Sequence, residues 1–195
     1  VLLVNPESPD QLSDMISLIA TATNTQDKAD QLLDFINQEK EMLTTSLATA
    51  DDTPNIYLAG NSSLLSTAGP AMYQSGIIEL AGGKNVASDI SDTYWAEISY
   101  EQLLSWNPDY IILASDAEYT VDDVLSDPNL KDCTAVKNNH VYAIPGDIEA
   151  LDSPVPASIL ASIWLAGILH PDQVSTDTYT KEMNSFYETF YGIKK

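Results

Sequence analysis

The run YIIL at 110–113 is apolar at every position and follows directly on a polar break, Asn107-Pro108-Asp109. A strand covered on one face alternates apolar and polar residues, whereas a strand apolar on both faces belongs in the middle of a parallel sheet with helices above and below it. NIYLA at 55–59 and VYAI at 141–144 read as further strands. Between and after them lie helical stretches: PAMYQSGIIELA, closed by the glycine pair at 82–83, a capped helix at 99–106, a short helix after Thr120, and two closing helices near 154–169 and 177–190. Strands separated by helices pair in parallel, so the pattern predicts a three-layer α/β/α lobe with a mainly parallel central sheet.

Two helices precede this alternation. Ser8-Pro9-Asp10-Gln11 is a helix start, with Ser8 as N-cap, Pro9 at the first helical position and Gln11 closing a capping box. Leu12, Met15, Ile16 and Ile19 follow at helical spacing. A longer helix runs from near Thr25 to about Ala48 with Ala29, Leu32, Leu33, Ile36, Leu43 and Leu47 on one stripe. At 1.5 Å per residue it is roughly 35 Å long, enough to cross a domain or join two. The polar stretch TADDTPN then marks a boundary. Val1 to Val4 read as an apolar strand with nothing before it to pair with, which leads us to expect a preceding segment. The expected organisation is residues 1–23 as the remnant of one lobe, 24–50 as a connecting helix and 51–195 as an α/β lobe.

Charge narrows the function. The chain has 29 Asp and Glu against 8 Lys and no arginine, for a formal net charge of −21. Nucleic acid is a poor partner, because neutralising phosphates needs clustered cations. A bidentate guanidinium clamp on an anion is also absent. Acidity that merely keeps a secreted protein soluble is the plainer reading of the same numbers. Cys133 is alone and is expected as a small buried apolar residue. SILASIWLAGIL at 158–169 is too short to span a bilayer, which takes about twenty apolar residues, and reads as a core helix.

Motifs for catalysis are missing: there is no GxSxG, HExxH or Walker loop, and GGK at 82–84 follows a helix where a phosphate loop precedes one. His140 and His170 lie thirty residues apart beside element ends, and His170 suits a helix C-terminus better than a metal. Pairs such as Asp89/Asp92, Asp116/Glu118 and Asp122/Asp123 match no calcium loop and read as solvated faces. Ser99 caps the helix at 99–106, which puts Glu101 in its first turn, facing the positive end of the helix dipole. By these residues alone Glu101 is a helix-start acid.

Five phrases in order carry more: ELAGGKNVA at 79–87, WAEISYEQLLSWNPDYIIL at 95–113, AVKNNHVYAIP at 135–145, SPVPASILASIWLAGILHPD at 153–172 and FYETFYG at 186–192. Together they resemble the C-terminal lobe and interlobe helix of the helical-backbone, class III periplasmic binding proteins. These serve ABC importers for ferric siderophores, haem, cobalamin and related metal complexes. The resemblance implies two α/β lobes held by one long helix, with the ligand in the cleft between them. The chain departs from that pattern in lacking nearly all of the N-terminal lobe.

The resemblance implies that Glu101, in the SxEQ phrase, docks onto the permease, and that Trp95 faces ligand, its alternative being a rim aromatic over the sheet edge. Asn61, Ser62 and Ser63 lie beyond a strand's C-terminal end, where open α/β folds place ligands, as do Asp147, Glu149 and Asp152 after YAIP. The cobalamin-type pattern has a longer loop with an arginine there, where this sequence has Val155. Acids in these loops suit a cationic or amine-bearing ligand or are simply loop residues.

The expected function is the extracytoplasmic binding component of an ABC importer, in the periplasm or lipid-anchored on the outer face of the cytoplasmic membrane. It captures an iron-siderophore, haem, cobalamin-like or other metal complex and delivers it to the permease. No resident cofactor or covalent chemistry is expected, and the membrane is met only through the permease or a lipid anchor outside this chain. The alternatives are a carboxylate-based hydrolase and a free-standing protein-interaction module.

Overall fold

Tyr110–Leu113 forms the central strand that its apolar run predicts, with Ile111, Ile112 and Leu113 buried. The structure is a computed structural model that describes residues 1–90 and 94–194. In it one sheet holds β1 (Asn55–Ala59), β2 (Ser66–Ala68), β3 (Lys84–Asn85), β4 (Trp95–Glu97), β5 (Tyr110–Leu113) and β6 (Val141–Ala143). Its order is β4-β2-β1-β5-β6, with β3 beside the start of β1. β1 pairs in parallel with β3 and β5, and β5 with β6, whereas β2 and β4 are antiparallel additions at one side.

Helices cover both faces. On one lie α1 (Pro9–Thr23), α2 (Gln26–Leu47), α3 (Tyr73–Leu80), α7 (Ile159–Leu169) and α8 (Thr176–Tyr191), which share a core with Ile56, Leu58 and Ile112. On the other lie α4 (Tyr100–Trp106), α5 (Val121–Leu125) and α6 (Thr134–Lys137), packed on Tyr57, Ile111 and Leu113. Alternate residues of β1 and β5 thus serve opposite cores, which is why neither strand shows a polar face. Cys133 is a free, buried member of the second core. α7 is buried nearly all round, and among the described residues no helix is long and apolar enough to cross a membrane.

The helix ends follow local chemistry. Ser8 accepts from the Gln11 N–H, but the Gln11 side chain accepts from Glu7 N–H rather than from Ser8, so the expected box closes one residue earlier. A reciprocal capping box does form at α5, between Thr120 and Asp123. Gly82 takes a left-handed φ of 79° behind α3, a conformation open to glycine. His170 ends α7, and its buried ring lies 3.3 Å from the Gly82 carbonyl and 3.7 Å from Asp52.

Three expectations are corrected. Val1–Val4 form no strand and are exposed, because a lone strand without a ladder partner gains nothing from extended geometry. α1 buries Leu12, Ile16 and Ala20 and packs Met15 against the same core, leaving Ile19 exposed. β2, β3, β4 and α6 were not foreseen, being too short to show a period. Asp92, from the paired acids, lies outside the described residues.

The stripe of α2 contains a carboxylate. Ala29, Ile36, Glu39 and Leu43 are its buried residues, and Phe35 meets Phe186 at a tilt and Phe190 edge-on, both of α8. Burial pushes the Glu39 carboxyl up to about 7 from an ordinary 4.5; Glu182 of α8 adds to the rise and Lys181 opposes it. The folded chain therefore holds this proton more tightly than the unfolded chain, so stability grows as pH falls from about 7 towards 4.5. Glu39→Gln should raise stability at pH 8 by about 1–3 kcal/mol and have little effect at pH 5. Denaturant melts of both proteins at the two pH values check this, and an equal difference at both would refute it.

Candidate functional site

Ala59, Leu113 and Ala143 stand side by side at the C-terminal ends of β1, β5 and β6. The loops that follow, residues 60–65, 114–120 and 144–155, therefore leave the sheet at one edge, where open α/β sheets bind ligands. Tyr57 and Tyr119 tie the edge together. The Tyr57 hydroxyl donates to Leu64 O at 2.7 Å and the Tyr119 hydroxyl to Gly60 O at 2.6 Å. Burial raises both phenols well above the ordinary tyrosine range, so both remain donors. Glu118 N–H donates to Asn61 O at 2.8 Å, which joins the first two loops through their backbones.

Trp95 reaches this edge from the side. β4 runs antiparallel to β2, with Trp95 opposite Ala68 and Glu97 opposite Ser66. The indole is 37% exposed, enough to offer a face to solvent. It lies on Gly60 so closely that a Cβ built there would stand 3.0 Å from Trp95 Cζ3. A side chain there would push the ring back by a few tenths of an ångström, and Asn61 and Ser62 emerge exposed beside it. Ser63 is turned to the backbone, accepting from Leu65 N–H through its hydroxyl and from Ser66 N–H through its carbonyl. The arrangement is a flat aromatic flanked by an amide and a hydroxyl, suited to stacking and hydrogen bonding with a compact ligand.

The three acids of the 144–155 loop are placed differently. Asp152 is buried and accepts from the Ser115 hydroxyl at 2.5 Å and from Ser115 N–H at 3.3 Å, pinning its loop to the end of β5. Glu149 accepts from the Tyr187 hydroxyl of α8 at 3.0 Å, and Tyr187, already raised by burial, is raised further by that carboxylate. Asp147 is exposed and faces Tyr179 closely enough to add to the rise in its phenol. Two of these three carboxylates, Asp152 and Glu149, are tethers that hold the loop.

Glu101 sits apart, on the rim. Ser99 accepts from the Gln102 N–H and so caps α4, while Glu101 is fully exposed. Its own backbone N–H and the Ser99 hydroxyl hold its carboxyl below the ordinary range, so it stays ionised. α4 ends at Asn107, in the left-handed region at φ 45°, whose side chain accepts from Thr134 N–H. The groups that sequence reading passed over are Gly60, Ser115 and Tyr119. Gly60, set directly behind the strand run, was the one with a visible signal.

Residues 1–148 match the model of the family described as periplasmic binding protein. The molybdate-binding protein MolA of Haemophilus influenzae is 28% identical over 185 residues, covering 93% of this chain and 52% of its own length. The chain thus spans about half the length of the curated relative it matches. The molybdate-bound structure of MolA superposes with a TM-score of 0.83 over 95% of this chain and 57% of that one. A periplasmic solute-binding protein from Veillonella parvula, 24% identical, gives 0.84 over 97% and 58%. The Ni-His complex of Helicobacter pylori CeuE, 20% identical, gives 0.86 over 97% and 60%; both are likenesses of fold.

The contact at Gly60 predicts that Gly60→Ala leaves the fold intact but tilts the indole. Fluorescence difference spectra against Trp95→Phe should show a red-shifted Trp95 emission, and an unchanged spectrum would remove the packing argument.

Proposed function

This chain belongs to the periplasmic binding protein family, and we propose that it is the ligand-capturing part of the extracytoplasmic binding component of an ABC importer, handing a compact metal complex to the permease. The observation that carries this reading is the exposed Trp95 indole laid over Gly60 beside Asn61 and Ser62, at the C-terminal edge of a parallel sheet. An indole in that position stacks on a ring system or a ligand shell without first having to be ordered. We assign Ser63, Asp152 and Glu149 to holding the loops and Asp147 to the rim. The chain works outside the cytoplasm, in the periplasm or on a lipid anchor.

Electrostatics narrows the cargo. The loops at 60–70, 94–101, 114–120 and 144–153 carry Glu97, Glu101, Asp116, Glu118 and Asp147 in addition to the tethers, and contain no lysine or arginine. Such a face repels a bare oxyanion and favours a neutral or cationic metal complex. Molybdate is the second reading, favoured by the likeness to MolA.

In this reading α2 is the spine between lobes, residues 1–23 belong with the preceding lobe, and 51–195 are the C-terminal lobe. Glu101, directed by a capped turn and fully exposed, pairs with a cation on the permease. A carboxylate-based hydrolase needs a raised acid beside a partner in the cleft. The carboxyl pushed well up, Glu39, lies instead between α2 and α8. Transport is therefore preferred to hydrolysis.

Tryptophan-fluorescence titration with haem, cobinamide, a ferric siderophore and molybdate tests the proposal. Saturable quenching by a neutral or cationic complex, lost in Trp95→Ala, is expected. Saturation by molybdate alone would favour the second reading, and no saturation by any would overturn the importer reading. Glu101→Ala should keep the affinity and lower uptake, on the order of tenfold, because a rim charge acts on docking rather than on ligand binding.

A further inference from the structure

Four helices meet in the larger core without closing completely. Pro9 of α1, Ile36 and Lys40 of α2, Tyr73 of α3, and Ser158 and Ser162 at the head of α7 line a recess of about 10 Å³. About that volume holds one water, provided that the water finds two or more polar partners. Lys40 already has a partner of its own, the exposed Asp10 at 3.4 Å. The hydroxyl groups decide the matter.

Ser162 is 1% exposed, and its hydroxyl has no hydrogen-bond partner among the described residues. A serine inside a helix has a ready fallback in the carbonyl four residues back. Ser13, Ser17, Thr21, Thr23 and Thr44 all take it in this chain. Ser162 leaves the Ser158 carbonyl unused, although both residues line the recess. A buried hydroxyl that turns away from its own helix needs a partner elsewhere, because leaving the bond unmade costs more than a typical bond contributes.

An acceptor stands at the same recess. Ser158 gives its one hydroxyl proton to Val155 O at 2.6 Å, so in the 2.5 Å contact between Tyr73 and Ser158 the phenol is the donor. Burial raises the Tyr73 phenol above its ordinary range, which keeps that proton in place. The phenol oxygen still has lone pairs to offer. Tyr73, Ser158 and Val155 therefore form a directional chain that begins at an unused acceptor and ends in the last residue of the 144–155 loop.

We propose that the recess is a structural water site, in which one water accepts from the Ser162 hydroxyl and donates to the Tyr73 phenol oxygen. The chain then runs from Ser162 through the water, Tyr73 and Ser158 to Val155 O, crossing a core of apolar side chains. Every donor in it points the same way, the arrangement in which successive bonds strengthen one another. It joins α7 to α3 and fixes the C-terminal end of a loop that reaches the strand edge.

A crystal structure of the chain, at a resolution that shows other buried waters, tests the site directly. One water about 2.7–3.2 Å from both Ser162 Oγ and Tyr73 Oη is expected. A dry recess, or a Ser162 hydroxyl bonded to Ser158 O, overturns the proposal. Denaturant melts of Ser162→Ala, Tyr73→Phe and the double variant test the bridge, and the helix preference of alanine cancels in that cycle. The double variant should lose at least about threefold less in folding constant than the two single losses combined, and additive losses overturn the bridge. Amides of Ser153, Val155 and Ser158 should exchange at least about threefold faster in Ser162→Ala, since the loop end is then less firmly held. Unchanged exchange overturns the link to the loop. None of these measurements depends on what binds at the strand edge, so failure here and failure of the importer reading are separate results.

Discussion

The parallel ladder of β1 on β5 and β5 on β6 is the constraint on which everything else rests. Ala59, Leu113 and Ala143 are in register, so three loops drawn from residues 60–65, 114–120 and 144–155 emerge at one edge. Were any of the three strands reversed, its loop would lie at the far end of the sheet. The ladder also buries Tyr57 in its middle, which is why that phenol can reach up to Leu64 and shape the first loop from below. Edge geometry is therefore set by core packing rather than by the loops themselves.

Loop rigidity comes from polar groups that look functional by type and are structural by position. Asp152 is used up by Ser115, and Glu149 by Tyr187. A buried carboxylate with two donors is worth more to a loop than to a ligand, because removing it leaves both donors unpaired. What remains open to solvent is the Trp95 face, the Asn61–Ser62 tip and a rim of exposed acids. The acidity that composition shows as a bulk number becomes a local field once those acids stand around one edge with no lysine among them.

Much of the layout was legible because it depends on short-range patterns. The unbroken YIIL run predicted a doubly covered strand, and Ile111 and Ile112 do face opposite cores. Ser8, Ser99 and Thr120 marked helix starts through cap chemistry that needs only three or four residues. Strands of two or three residues such as STA and WAE were not legible, since no period exists in so short a run. Glu39 broke an apolar stripe without warning: a carboxylate on the buried face of α2 shows only when α8 is set against it.

The sequence by itself determined the layer order, the parallel core, the caps and the charge, because each follows from neighbours along the chain and from the periods of strand and helix. Only the tertiary structure decided which acids are tethers and which stand exposed on the rim, and that Trp95 lies against Gly60. Those facts join residues 35 to 38 positions apart, and spacing along a chain carries no information about distances that arise only when separate layers close on one another.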